Sequence, residues 1–309
     1  MASRRAGDRS FLQASATSLA EADEPRWARY GRLALTAGRA AIHDAYPSEL
    51  ARTVQGAQQP VSTGRRIAVI SAGGGAGAST AASLVALALA EVRRDAVGLV
   101  DLASLRSGLA PSLLHTAHGG PRASLGSLSV AAPHGRSEFL AALSAEEGRP
   151  VVVGASQHEK PLDERGATAL VAEFSRHCAV TLVECPPGID DERTRAVLRR
   201  AHTAVLVADM SESGFQDAQA LLDAMREDGF DLPVLLLGNE RSAGRSSVLR
   251  RARRTARETG VAFQGLRHQR RFRSGQPLSL DALPEPVRLE VFRIASTALT
   301  LARTGAASS

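Results

Sequence analysis

Residues 71–80 read Ser-Ala-Gly-Gly-Gly-Ala-Gly-Ala-Ser-Thr and run straight into a helical pattern. Glycines let a backbone close on an anion, free N–H groups of the turn point inward, and a helix N-terminus adds positive partial charge. The chemistry this stretch suits is phosphate binding. Two templates compete for it. Gly73, Gly75 and Ala78 satisfy the dinucleotide pattern GxGxxA, and Asp101 follows about 20 residues on, where an acid that holds a ribose belongs. That alternative makes the chain an NAD-binding Rossmann oxidoreductase. The Tyr-x-x-x-Lys pair of a short-chain dehydrogenase is missing, however, because both tyrosines precede the loop and Lys160 has no such partner. The other template is the phosphate loop GxxxxGK[ST]. Residues 72–79 meet it at Gly77 and Ser79 but not at the first glycine or at the lysine, whose place Ala78 takes.

Other chemistries find less support. Lys160 is the only lysine, so any reaction that needs an ammonium group has one candidate. Cys178 and Cys185 form no CxxC pair and read as small apolar packers. His115-x-x-His118 sits in a Gly/Pro-punctuated stretch and makes no metal motif, and residues 154–158 imitate a nucleophile elbow without its closing glycine. Residues 241–273 hold eleven arginines against a single acid, Glu258, although the whole chain carries only +6. Arg250, Arg251, Arg253, Arg254 and Arg257, followed by Arg270, Arg271 and Arg273, form a basic surface. It can grip nucleic-acid phosphates or anionic lipid headgroups, or it can be a solvated helix face.

These residues need a scaffold. With 309 residues, 44% hydrophobic and 23% charged, the chain can build a sizeable core and is not a disordered or collagen-like polymer. Short β-branched runs at residues 66–71, 96–101, 150–154, 179–184, 203–208 and 232–237, with a weaker one at 261–265, alternate with helical patterns at 79–93, 163–178, 191–200, 214–228, 246–259 and 286–303. Such alternation predicts a three-layer, doubly wound α/β fold with a mainly parallel sheet of about seven strands, whose ligands bind at the carboxyl ends of the strands. Residues 1–62 read as a helical, partly disordered extension and linker, and residues 63–305 as the α/β domain. Trp27 to Ala41 keep helical spacing before Pro47 ends the pattern, and residues 55–64 look like a linker. On the last helix, Val287, Val291, Ile294, Ala298 and Leu301 form a stripe that reads as core. The composition leads us to expect a cytoplasmic protein, with contact at a membrane surface left open.

Across residues 65–303 the succession RRIAVISAGGGAGAST, VGLVDLASLRSGL, AVTLVECPPGID, HTAVLVAD and LPVLLLGNE resembles the MinD/ParA family of deviant-Walker P-loop ATPases, and within it the actinobacterial branch associated with type VII secretion. The resemblance implies a P-loop NTPase fold that works as a dimer or with a protein partner, with ATP or ADP and Mg²⁺ as cofactors; the altered loop leaves open that it binds none and that its glycines serve only a tight strand-to-helix turn. It places nucleotide contacts at Gly73, Gly74, Gly75, Ala76, Gly77, Ala78, Ser79, Thr80 and Asn239. Mg²⁺ contacts fall at Ser79, Asp101 and Glu184. The same alignment puts Gly73 and Ala78 where the family has its signature and Walker lysines, Ala103 where it has a water-orienting aspartate, and Glu184 where it has the Walker B aspartate. A degenerate, non-hydrolysing scaffold or regulator is the expectation. The alternative is a weak or partner-activated ATPase switch in which an arginine, Arg106 being the nearest, substitutes for lysine.

Overall fold

The computed structural model describes residues 45–103, 135–143, 145–154, 162–242, 246–273 and 277–305. The expected helix at Trp27 to Ala41, the His115/His118 pair, Arg106, Lys160 and the Ala155–His158 part of the elbow-like run lie outside them.

Seven strands form one sheet: β1 (Arg65–Ser71), β2 (Val97–Asp101), β3 (Val151–Gly154), β4 (Val180–Glu184), β5 (Thr203–Asp209), β6 (Val234–Asn239) and β7 (Ala262–Leu266). Their order is β3-β2-β4-β1-β5-β6-β7, and every neighbouring pair is parallel. Side chains of a strand alternate between faces, so each apolar run feeds two cores at once. Ile67, Val69, Leu99, Leu182, Val205 and Leu237 face one core, and Ala68, Ile70, Val100, Val183, Leu206 and Leu236 face the other.

The first core is closed by α1 (Ala45–Ala57), α2 (Ala78–Val92) and α8 (Glu285–Thr304). The second is closed by α3 (Arg136–Ala142), α4 (Glu164–His177), α5 (Glu192–Arg200), α6 (Glu212–Glu227) and α7 (Ser246–Glu258). α2 is apolar nearly all round and buried along almost its whole length, as a helix sandwiched between sheet and helices must be. The expected stripe on α8 is core at Val287, Val291, Ile294 and Ala298, with Leu301 half-buried at its end. Among the described residues no helix is long and apolar enough to cross a membrane.

Two expectations need correction. Pro47 does not stop a helix; it lies in the first turn of α1, where its missing N–H would have had no partner. Residues 55–57 are the last turn of that helix rather than linker. Leu50, Val54 and Ala57 bury α1 against the first core, with about 2 kcal/mol of transfer free energy for each of the two larger side chains. Arg93, at the end of α2, fixes the exit of α1: its guanidinium donates to Ala57 O and Gln59 O, both at 2.9 Å, and forks onto Asp95 at 2.6 and 2.7 Å. Arg303 donates to Pro60 O from α8. α3 carried no clear signal in the sequence. It is held by Phe139, which meets Phe174 edge-on at 5.1 Å and stacks on His177 at 4.6 Å.

Among the described residues the sheet ends at β7. The Glu240 N–H bonds Leu266 O, which fixes the alternation: Leu266 turns its carbonyl toward β6, so Phe263 and Gly265 turn their backbone groups outward. That edge forms the floor of a groove of about 340 Å³ between α7 and α8, where Arg253, Arg267 and Arg293 stand with Glu240 and Glu290.

Candidate functional site

The glycine-rich loop leaves the carboxyl end of β1, the central strand of the sheet, and delivers the chain into α2. Four bonds hold it. Ser71 Oγ donates to Gly73 O at 3.1 Å, Gly188 N–H reaches Ser71 O at 2.8 Å, Cys185 N–H reaches Val69 O at 2.9 Å, and the Asn239 side-chain amide donates to Ala76 O at 2.8 Å. Gly77 caps α2 in the left-handed region, with φ 96°, and a Cβ there would lie 2.2 Å from Asn239 Nδ2. Only glycine satisfies both demands. Gly73 and Gly74 face open space.

The N-terminus of α2 differs from those of α4, α5 and α6. Asp163, Asp191 and Ser211 close the first turns of α4, α5 and α6 through their side chains. α2 has no side-chain cap and no acid in its first turn. Its orphan N–H groups and helix dipole therefore face the cleft above them. The cleft measures about 500 Å³ and is lined by Gly74, Gly75 and residues 77–80 on the loop side, by Glu184 and Cys185 from β4, and by Asn239, Arg241, His268 and Phe272 opposite.

One buried carboxylate, Glu184, lines it, and a second, Asp101, lies beside that one. Parallel register sets Asp101 of β2 directly beside Glu184 of β4, and the two are 1% and 2% exposed. Ser79 Oγ donates to Glu184 Oε1, Ala103 N–H donates to Asp101 Oδ1 at 3.0 Å, and the buried Glu184 Oε2 has no hydrogen-bond partner among the described residues. Burial pushes the Glu184 carboxyl up to about 8, the neighbouring Asp101 adds to the shift, and the Ser79 hydrogen bond opposes it. Hard oxygen donors with one orphaned, buried carboxylate oxygen fit a Mg²⁺ ion that also takes phosphate oxygens and water. Among the described residues no group of three or more His, Cys, Asp or Glu forms a metal cluster of its own, so such an ion depends on its ligand.

The sheet order decides between the two loop templates. In a dinucleotide-binding fold the acid-bearing second strand adjoins the strand that carries the loop. Here β4 separates β1 from β2, so Glu184, not Asp101, stands on the strand beside the loop. Asp101 is not placed to hold the ribose of a nucleotide on that loop.

Asn239 reaches the loop and faces the cleft, but one of its amide N–H groups is committed to Ala76. The Pro186–Gly188 segment ends with Gly188 at φ 78° and leads to Asp191, the N-cap of α5. Arg193 holds the Asp191 carboxyl below its usual range. Both cysteines are buried, and burial pushes the Cys178 thiol up to about 12 and that of Cys185 further still, which removes them as nucleophiles.

The arginine block divides in two. Val248, Ala252 and Ala256 turn α7 into the core, and Arg250, Arg251, Arg253, Arg254 and Arg257 all stand on its exposed side. Arg251 pairs with Glu212 and lies over Phe215, Arg253 lies over Phe263, and Arg271 donates to Ala282 O. Arg254, Arg257 and Arg270 have no such partner among the described residues. Arg273 lies in a short 3-10 turn, Arg270–Arg273. Of the other seven none lines the cleft, whereas Arg241, which the sequence offered only as one charge among eleven, does. Its signal was its place two residues beyond a strand's carboxyl end, where ligands of these sheets gather.

No family model matches the chain, and no curated protein sequence matches it. Solved structures do. A ParA family ATPase from Chlorobium tepidum TLS superposes with a TM-score of 0.58 at 18% identity, over 77% of this chain and 99% of its own. The septum site-determining protein MinD complexed with Mg-ADP, from Pyrococcus horikoshii OT3, gives 0.55 at 18% identity, over 76% and 96%. The MinC:MinD cell division protein complex of Aquifex aeolicus gives 0.56 at 18%, over 76% and 96%. The chain has the fold of the ParA/MinD P-loop ATPases.

Proposed function

We propose that this chain is a nucleotide-binding scaffold on the ParA/MinD fold that holds a Mg²⁺-nucleotide without turning it over. The observation that carries the proposal is the corner formed by Ser79, Glu184 and Asp101 beneath the uncapped start of α2, next to Ala78. The donors that would hold Mg²⁺ are kept, and the ammonium groups are not. The bound ion would supply charge neutralisation to the phosphates. The residues of the chain bind and orient: amides of the loop cradle the phosphates, Ser79 and Glu184 position the ion, and Asn239 keeps the loop in shape.

Phosphoryl transfer depends on positioning and on neutralising the β and γ phosphates. Losing one preorganised donor typically costs about 3 to 4 kcal/mol of transition-state stabilisation, or 10² to 10³ in rate. With Gly73 and Ala78 at both lysine positions of the family pattern and Ala103 at the water-orienting aspartate, turnover falls near the uncatalysed level. One structural neighbour is a complex of MinD with MinC. By that analogy the nucleotide state would set the docking of a second copy or a protein partner in partitioning, positioning or secretion. The unpaired Arg254, Arg257 and Arg270 are available to anionic DNA or lipid.

Calorimetric titration with Mg-ATP and Mg-ADP, together with a phosphate-release assay, tests the proposal. Saturable binding that weakens at least tenfold in Ser79→Ala, with phosphate release no faster than in that variant, supports it. Saturable turnover abolished by Ser79→Ala, alone or on adding a partner, would establish the switch ATPase instead, and the absence of any nucleotide binding would refute the nucleotide reading.

A further inference from the structure

The cleft carries a charge deficit that its loop does not meet. Glu240 faces it, Glu184 faces it and becomes anionic once a bound ion displaces its proton, and Asp101 lies beside Glu184, while the loop contributes no cationic side chain at all. A di- or triphosphate entering this space needs positive charge beyond helix N–H groups and one divalent ion. Arg241 is the only arginine among the described residues that line the cleft. It follows the carboxyl end of β6, the same strand end whose Asn239 pins the loop at Ala76, so one element fixes both the loop and the guanidinium. Arg241 Nη1 comes within 3.6 Å of the point where a Cβ of Gly75 would stand. Its side chain is 44% exposed and makes one ion pair, with Asp209 Oδ2 at 3.7 Å, longer than a hydrogen bond. It is therefore aimed at the loop and only loosely held.

We infer that Arg241 is the phosphate clamp of this site, closing over Gly75 from the β6 side to give a nucleoside di- or triphosphate the cationic contact that Ala78 does not. A guanidinium suits the task because its planar fork matches phosphate oxygens in pairs. The absence of a Cβ at Gly75 leaves the passage between guanidinium and loop open. A clamp from this direction neutralises the phosphate chain without arising from α2, where a lysine in the GxxxxGK[ST] template would sit, and so it favours retention over transfer.

This assignment rests on the nucleotide reading above, and its test separates the two. Binding of a fluorescent N-methylanthraniloyl-ADP with Mg²⁺ is measured on the full chain, on Arg241→Ala and on Arg257→Ala, an exposed α7 arginine outside the cleft. The expected result is a loss of at least tenfold in affinity for Arg241→Ala, none for Arg257→Ala, and unchanged melting curves for both proteins without ligand. Binding by Arg241→Ala equal to that of the unaltered chain would overturn the clamp and leave nucleotide binding intact. Failure of the unaltered chain to bind Mg-ADP or Mg-ATP would remove the nucleotide reading and the clamp together.

Discussion

Replacing Glu184 by Gln should make the protein more stable at neutral pH when nothing is bound. The carboxyl is buried beside Asp101 and pushed up to about 8, from an ordinary 4.5. An acid whose folded value is raised binds its proton more tightly in the folded chain, so it costs nothing below the unfolded value. The cost grows as pH rises from about 4.5 toward 8. At pH 7 the gap between ambient pH and the unfolded value is roughly 2.5 units, or about 3 kcal/mol. Glutamine keeps the length and the acceptor for Ser79 Oγ, has no proton to lose, and can offer its amide to Asp101. In EDTA at pH 7, Glu184→Gln should gain up to about 3 kcal/mol, about 6 to 12 °C in Tm for a domain of this size. The gain should shrink to nothing near pH 4.5. Urea unfolding across that range reads both quantities. A variant that is less stable at pH 7, or a gain that does not vary with pH, refutes the picture of a carboxyl pair strained by burial.

His202 gives the opposite slope. Burial and the nearby Arg66 and Arg65 push it down to about 4, and its Nδ1 accepts from Arg66 N–H at 3.1 Å, so it is neutral in the folded chain and takes up a proton on unfolding between about pH 6.5 and 4. Relative to the unaltered protein, His202→Asn should gain stability as pH falls through that window, by no more than about 3 kcal/mol, and parallel denaturation curves at pH 7 and 5 check it. Arg93→Ala leaves two carbonyls and Asp95 without their buried cation and should cost about 3 kcal/mol. Hydrogen exchange should show the loss first in the amides of α1, and unchanged protection there would mean that the arginine does not hold that helix.

The strands were legible because a buried parallel sheet demands unbroken β-branched runs, and 66–71, 179–184 and 203–208 are such runs. Helix α1 is less legible, because a proline inside a helical pattern reads as a stop although in a first turn it costs nothing. Leu50, Val54 and Ala57 nonetheless keep helical spacing. The loop chemistry was legible as phosphate binding; the loop alone left the template open, since Gly73, Gly75 and Ala78 suit one pattern and Gly77 and Ser79 the other, and the succession of five segments along the chain favoured the P-loop. Only the insertion of β4 between β1 and β2, a property of pairing rather than of any segment, sets Glu184 beside the loop. For the same reason the place of Arg241 just past a strand hints at the cleft but not at Gly75: that nearness comes from β6 and the loop meeting in space, across more than 160 residues of chain. In the arginine block, density predicted exposure but not which guanidinium would face the cleft.

The open edge at β7 has a consequence for how this chain behaves when crowded. Outward-facing backbone groups at Phe263 and Gly265 would welcome another strand, the usual route to disordered aggregates. A copy approaching along that line would first have to strip water from Arg253, from the Arg267–Glu290 pair and from Arg293, which is tied to Glu49. Dehydrating ion pairs in this way is costly. The groove thus works as a fence, a charged rim that makes the addition of a further strand along this edge costly.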